Sequence, residues 1–289
     1  MPASFPKISV ITPSFNQGKY LEDTILSVIR QGYPNLEYII IDGGSTDDSV
    51  AIIKKYEQQL SYWVSEPDNG LYHALQKGFA RSTGEVMAWI NSDDMYHKKS
   101  LFTAAAIFER FEHVRWIMGS NTFFDEEGQP FVYEEEPYQQ RWSKWRLYFY
   151  QGKFIQQESV FWKRTLWEEA GSFVNLDYSL AADFELWLRF FRYDTLYTTS
   201  FLLGGFRLRN ENQKSLDQRK AYLDEVQALL TQERKQTGDE AYFWYCRLMM
   251  GLVRLFPFRK WRERMALKVL KLPKKIVFDR ARGFVLSKR

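Results

Sequence analysis

The sequence has one cysteine, Cys246, and three histidines, His73, His97 and His113, far apart in its 289 residues. A single thiol excludes an intramolecular disulfide and a clustered-thiolate zinc centre, and it suits a reducing compartment. Three scattered imidazoles argue against a histidine-rich metal centre, so carboxylates must carry any metal chemistry. Neither G-x-x-x-x-G-K-[ST] nor G-x-G-x-x-G occurs, so no glycine-rich loop is available to cradle phosphates. Long apolar runs are missing too. The opening "MPASFPKISVITPSF" has too short an apolar stretch for a signal-peptide core, so export is not expected. Near the other end, the most apolar stretch is interrupted by Arg247 and Arg254 and followed by Pro257, which argues against a spanning helix.

What is present points to a large folded core, since 45% of residues are hydrophobic and 17% aromatic. The net charge of +4 hides a division. Residues 241–289 hold 14 Lys/Arg against 2 Asp/Glu, a net +12, whereas residues 1–240 hold 26 against 34, a net −8.

The first hundred residues alternate strand and helix signals. "KISVITPSF", "LEYIIIDGGSTD", "SYWVSE" and "EVMAWINSDD" are apolar on consecutive residues, and the segments between them carry apolar residues at helical spacing. This pattern predicts an open α/β architecture whose strands run parallel and are covered on both faces. Ligands bind such sheets outside the carboxyl ends of the strands, where strand order reverses. The residues expected there are Thr12, Pro13 and Ser14; then Asp42; then Glu66 and Asp68; then Asn91, Asp93 and Asp94. Acids gathered on one rim repel one another, and desolvation adds to the cost. Mg²⁺ or Mn²⁺ would offset it, and that metal could grip a nucleotide diphosphate where no glycine-rich loop exists. Short Asp/Asn/Ser clusters are also ordinary turns and helix caps, which is the alternative for "NSDD" and "DGGSTDD" alike.

Over roughly residues 7–210 the chain resembles glycosyltransferase family 2, with the GT-A fold. The motifs are "ISVITPSFNQGKYLEDTILSVIRQ", "IIIDGGSTDDS", "SEPDNGLYHALQKGFARSTGEVMAWINSDD", "FIQQESVFWKRTLWEEAGSF" and "SLAADFELWLRF". The resemblance implies a Rossmann-like open mixed sheet flanked by helices, with residues 1–210 as the catalytic domain. Residues 211–289 are then a helical basic extension. It further implies that Pro13, Ser14, Asp42, Asp68, Lys77, Asn91, Ser92 and Asp93 line the donor nucleotide, most simply of a UDP-sugar. Asn91 stands where the family often has the first aspartate of D-x-D, and the metal, Mn²⁺ or Mg²⁺, is expected on Asp93 or Asp94. The implied reaction is a single displacement with inversion at the anomeric carbon, with Asp183 taking the acceptor's proton. An aspartate opening "FELWLRFF" is also an ordinary N-cap. A helix N-terminus lowers its pKa, whereas Phe184 and Trp187 raise it if they exclude water. Gln157 and Glu158, polar within an apolar segment, are expected to face the sugar or acceptor cleft, or else the wet side of an edge strand.

Beyond residue 210, "SLDQRKAYLDEVQALLTQERKQTG" predicts an amphipathic helix ended by Gly238. Cations interleaved with Trp, Phe, Leu and Met in residues 241–289 suit an anionic membrane surface; packing on the catalytic domain is the plainer alternative. Nucleic acid is not expected, because the apolar content exceeds what phosphate contacts need. The resulting expectation is a cytoplasmic enzyme, peripheral on the inner face of the cell membrane, acting on a glycan or lipid-linked saccharide. Two rivals are a nucleotidyltransferase and a non-catalytic nucleotide-sugar-binding subunit.

Overall fold

The computed structural model describes residues 5–131, 141–149, 155–209 and 218–287. The elements in chain order begin with β1 (Ile8–Ser14), α1 (Gly18–Ile29), β2 (Leu36–Asp42), α2 (Ser49–Lys55), β3 (Tyr62–Ser65), α3 (Leu71–Arg81) and β4 (Val86–Trp89). Next come β5 (Met95–Tyr96), α4 (Ser100–Arg110), β6 (Trp116–Met118), β7 (Phe123–Phe124), β8 (Pro130–Phe131), α5 (Lys144–Leu147), β9 (Val160–Lys163) and α6 (Arg164–Glu169). The rest are α7 (Ala182–Tyr193), β10 (Tyr197–Thr198), β11 (Gly204–Arg207), α8 (Arg219–Thr237), α9 (Glu240–Arg254), α10 (Arg259–Val269), β12 (Ile276–Asp279) and β13 (Gly283–Leu286).

The central sheet has the order β10-β6-β9-β4-β1-β2-β3. β3, β2, β1 and β4 pair in parallel, as their uninterrupted apolar runs predict. β9 runs antiparallel to both β4 and β6, which makes the sheet mixed. Each strand feeds both faces because side chains alternate. Ile39 and Ile41 join a core with α3, α6, α7 and α8, whereas Tyr38 and Ile40 join another with α1 and α4. Helix α3 lies so close on β1 that a Cβ at Gly78 would stand 2.4 Å from Ile11 Cγ2.

Trp162, Trp167 and Trp187 are core residues; Trp187 stacks on Trp89 with ring centres 5.4 Å apart. The expected boundary at residue 210 lies outside the described residues. Past it, the predicted amphipathic helix forms as α8, ended by Gly238 in the left-handed conformation. It packs Val226, Leu229 and Leu230 into the same core as the sheet, and Phe243 of α9 follows. Ile276 of β12 reaches the other core.

Candidate active site

Strand order reverses between β1 and β4, so the crevice beyond their carboxyl ends is where a ligand is expected. β1 and β2 end in register, Ser14 opposite Asp42. The Ser14 hydroxyl is buried with no hydrogen-bond partner. Asp42 is buried and fully engaged by its own loop and by Ser65 at the end of β3. Its Oδ2 accepts from Ser45 N–H (2.9 Å), Gly44 N–H (3.2 Å) and Ser65 Oγ (2.6 Å), and its Oδ1 accepts from Ser45 Oγ (2.6 Å). The turn alternative therefore describes Asp42 well: its carboxylate builds the "DGGS" loop.

After β4 the chain turns at Asn91–Asp94, closed by Asp94 N–H donating to Asn91 O (3.1 Å). Short β5 then pairs antiparallel with β11, and this pairing delivers two arginines to the turn. Asp94 is fully buried; its Oδ1 accepts from Arg207 N–H (2.9 Å) and its Oδ2 from Asn91 Nδ2 (3.2 Å). The Arg207 guanidinium is also buried, donating to Asp93 O (2.8 Å), Glu126 O (3.0 Å) and Asp23 Oδ2 (2.9 Å). Asp93 Oδ2 lies 3.1 Å from Arg209 Nε. Ser92 is buried in the same turn.

Burial raises the pKa of Asp93 against the pull of Arg209 and Arg207. It raises that of Asp94 well above the ordinary carboxylate range, helped by repulsion from Asp93 and Glu158. Glu158 stands in the single-turn helix before β9 and is pushed to about 8, first by burial and further by the charges of Asp93 and Asp183. Its Oε1 is buried and unpartnered, as is Asn91 Oδ1. The backbone of Glu158 is pressed against Gly204, where a Cβ would meet Glu158 O at 2.0 Å. Gln157 beside it is tied to the sheet, donating from Nε2 to Trp89 O at 2.7 Å.

Asp183 is the second residue of α7 and not its N-cap, which is Ala181. Burial outweighs the hydrogen bonds from Phe184 N–H and Tyr72, and raises its pKa from 3.8 to about 6. The competition left open by the sequence is thus decided by the exclusion of water, with Phe184 and Trp187 both buried beside it. The Tyr72 hydroxyl donates to Leu180 O (2.7 Å) and lies 3.3 Å from Asp183 Oδ1.

Not every expected residue joins this group. Asp68 accepts from Gly70 N–H (2.8 Å) within its own turn. Lys77 pairs with Glu66 (2.8 Å) beside a cavity of about 400 Å³ at edge strand β3, whose lining includes none of Asn91, Asp93, Asp94 or Asp183. Tyr72, Arg207 and Arg209 were not singled out from sequence. The two arginines lie more than a hundred residues after the turn they hold, and only the β5–β11 pairing reveals the contact.

Among the described residues, no group of three His, Cys, Asp or Glu is arranged to hold a metal ion. A smaller set fits a hard cation: the Asp93 carboxylate and the unpartnered Asn91 carbonyl, both oxygen donors, in a site whose neighbouring acids gain from added positive charge. Asp94, with both oxygens already engaged, fits less well.

A relative in Mycobacterium tuberculosis, an uncharacterized glycosyltransferase, is 44% identical over 94 residues, 32% of this chain and 36% of that protein. TuaG of Bacillus subtilis, named for teichuronic acid biosynthesis, is 38% identical over 99 residues, 33% of this chain and 39% of the relative. The chain thus spans little more than a third of the length of these curated relatives. Among solved structures, Pyrobaculum calidifontis mannosyltransferase PcManGT, in complex with GDP-Man and Mn²⁺, superposes with a TM-score of 0.62 at 18% identity, covering 94% of this chain and 76% of that one. S. aureus TarS 1–349 in complex with UDP gives a TM-score of 0.61 at 16% identity, covering 91% and 70%. These likenesses establish the GT-A fold. The description "Glycosyl transferase family 2" matches residues 9–164, more than half of the sequence, and the chain belongs to that family.

Proposed function

We propose that the protein is an inverting glycosyltransferase that moves a sugar from a nucleoside-diphosphate sugar to a hydroxyl of a glycan or lipid-linked saccharide. The observation that carries this reading is that α7, which bears Asp183, packs on the end of β4 through Trp187 stacked on Trp89 at 5.4 Å, just before the Asn91–Asp94 turn at the point where strand order reverses. One end of such a cleft suits a diphosphate and the other a proton acceptor. The acceptor oxygen forms a bond to the anomeric carbon as the bond to the diphosphate breaks, and Asp183 takes the hydroxyl proton. With a pKa near 6, Asp183 is ionised at neutral pH yet more basic than an ordinary aspartate. Asp93 and Asn91 would hold Mn²⁺ or Mg²⁺. That ion, when bound, supplies Lewis-acid stabilisation of the departing diphosphate. Ser14 Oγ, buried and unpartnered at the end of β1, would contact the nucleotide, as would Pro13 before it and Ser92 in the turn after β4, with Asp42 shaping the adjoining loop.

The nucleotides in the solved neighbours, UDP and GDP-Man, support a nucleotide-sugar donor, and a UDP-sugar is the reading adopted. The name of TuaG, a teichuronic acid biosynthesis glycosyltransferase, supports a role in glycan assembly. Incubation with candidate nucleotide-sugars and Mn²⁺ is expected to release nucleoside diphosphate slowly. Release of pyrophosphate from a triphosphate and sugar phosphate would instead mark a nucleotidyltransferase. Absence of any turnover, with nucleotide still bound, would mark a binding subunit.

The reading extends to the membrane. Trp244, Leu248, Leu252 and Leu255 are exposed along one stripe of α9 and its end, and Phe258 and Trp261 continue the apolar surface. Arg247, Arg254, Lys260, Arg262 and Arg264 lie exposed among them. Apolar side chains flanked by cations fit the headgroup layer of an anionic bilayer. Among the described residues no helix is long and apolar enough to cross a membrane, so contact would be peripheral, on the cytoplasmic face in this reading. Leu248→Glu/Leu255→Glu is expected to abolish flotation with vesicles containing anionic lipid while leaving the thermal midpoint unchanged. Equal flotation of the variant and the parent would overturn this assignment.

A further inference from the structure

Helix α7 begins without a cap of its own. Its N-cap residue is Ala181, whose side chain accepts no hydrogen bond, although unpaired amides at a helix start are costly. The acceptor comes from α8. Glu225 Oε2 accepts from Ala181 N–H (2.8 Å) and Leu180 N–H (3.1 Å), and Glu225 Oε1 accepts from Ser179 Oγ (3.0 Å). Tyr72 of α3 holds the same segment from the other side through Leu180 O. Asp183 follows two residues after Ala181. Helix α8 is itself firmly seated: Val226, Leu229 and Leu230 are in the core, and buried Glu233 pairs with Arg192 at the far end of α7.

We propose that Glu225 is a positioning residue for sugar transfer: from α8 it clamps residues 179–181, fixes where Asp183 stands, and opposes a second negative charge there. The proposal rests on the reading of Asp183 as the proton acceptor. It places a contribution to the chemistry in a helix that follows the matched family segment and the expected catalytic domain. The groups bearing on Asp183 are Tyr72 from α3, Glu158 from the turn before β9, Phe184 N–H on its own helix, and Glu225. Of these, Glu225 alone both caps the helix and adds charge. Its repulsion works in the same direction as burial, towards a more basic Asp183.

The test uses the full chain with Glu225→Gln, Glu225→Ala and Asp183→Asn, measuring kcat against pH, donor KM and thermal midpoint. Gln keeps an acceptor oxygen and loses the charge, so plateau kcat is retained while the acid limb moves to lower pH. Ala loses both, so plateau kcat falls about tenfold or more with donor KM unchanged. An acid limb in Glu225→Gln coincident with the parent's would overturn the clamp, even if Glu225→Ala fails to fold. Inactive Asp183→Asn beside parent-like Glu225 variants would sink the clamp alone; an active Asp183→Asn would sink the base assignment and the clamp with it.

Discussion

Asp183→Asn is expected to abolish sugar transfer while leaving nucleotide binding intact. The substitution is nearly isosteric, and Asn can still accept from Phe184 N–H and Tyr72, so the geometry of α7 survives. What disappears is the lone pair that takes the acceptor's proton, a contribution worth on the order of 10²–10⁴ in rate. The parent's kcat should fall as pH drops through about 6, because protonated Asp183 cannot act as a base. Stability should respond in the opposite sense. A carboxyl whose pKa rises on folding from 3.8 to about 6 favours the folded state only while protonated, so this contribution is lost as pH rises through that window. The elevation corresponds to about 3 kcal/mol of unfavourable burial at pH 7 and above. Asp183→Asn removes that cost, so its thermal midpoint at pH 7.5 should equal or exceed the parent's. Calorimetry beside a radiolabelled-donor assay checks both halves; retained turnover, or a large loss of stability, would refute the role.

The parallel half of the fold was legible because its strands are apolar on consecutive residues and punctuated by Pro13, Asp42-Gly43-Gly44 and Asn91–Asp94. The reversed strand β9 was not. Nothing in "VFWK" distinguishes an antiparallel strand buried between two neighbours from a parallel one. Within the site, residue types at strand ends pointed to Asn91, Asp93 and Asp94 and the family resemblance to Asp183, but neither showed which carboxylates are spent on the fold. Asp42 and Gln157 look the same in sequence as ligand-facing groups, yet both Asp42 oxygens are taken by backbone amides and serine hydroxyls, and Gln157 Nε2 by Trp89 O. Arg207 and Arg209 escaped notice because β11 is short and its partner β5 has only two residues, too few for a periodic signal. Glu225 escaped because a cap supplied from another helix leaves no local pattern at all.

Asp93→Ala should eliminate metal-dependent nucleotide binding, and the comparison with Asp94→Ala is what makes the prediction sharp. Both residues are acidic and adjacent, Asp94 fully buried and Asp93 partly so, but they face different partners. Asp94 anchors β11 through Arg207 N–H and receives Asn91 Nδ2, so truncating it leaves a buried amide unpaired and should lower stability by about 1–3 kcal/mol. Asp93 offers its carboxylate to Arg209 and takes the Arg207 guanidinium on its backbone oxygen, a contact that survives truncation. A cation arriving at Asp93 competes with Arg209 for the same carboxylate, and the relief of repulsion among Asp93, Asp94 and Glu158 favours the cation. In the parent, nucleoside diphosphate at a hundred times its Kd with Mn²⁺ should add about 2.7 kcal/mol of stability by mass action. In Asp93→Ala the Mn²⁺-dependent part of that increment should vanish while the unliganded midpoint barely changes. In Asp94→Ala the unliganded midpoint should drop first. If Mn²⁺ and nucleotide stabilise Asp93→Ala as strongly as the parent, the diphosphate is held elsewhere, and the strand-end acids serve the fold alone.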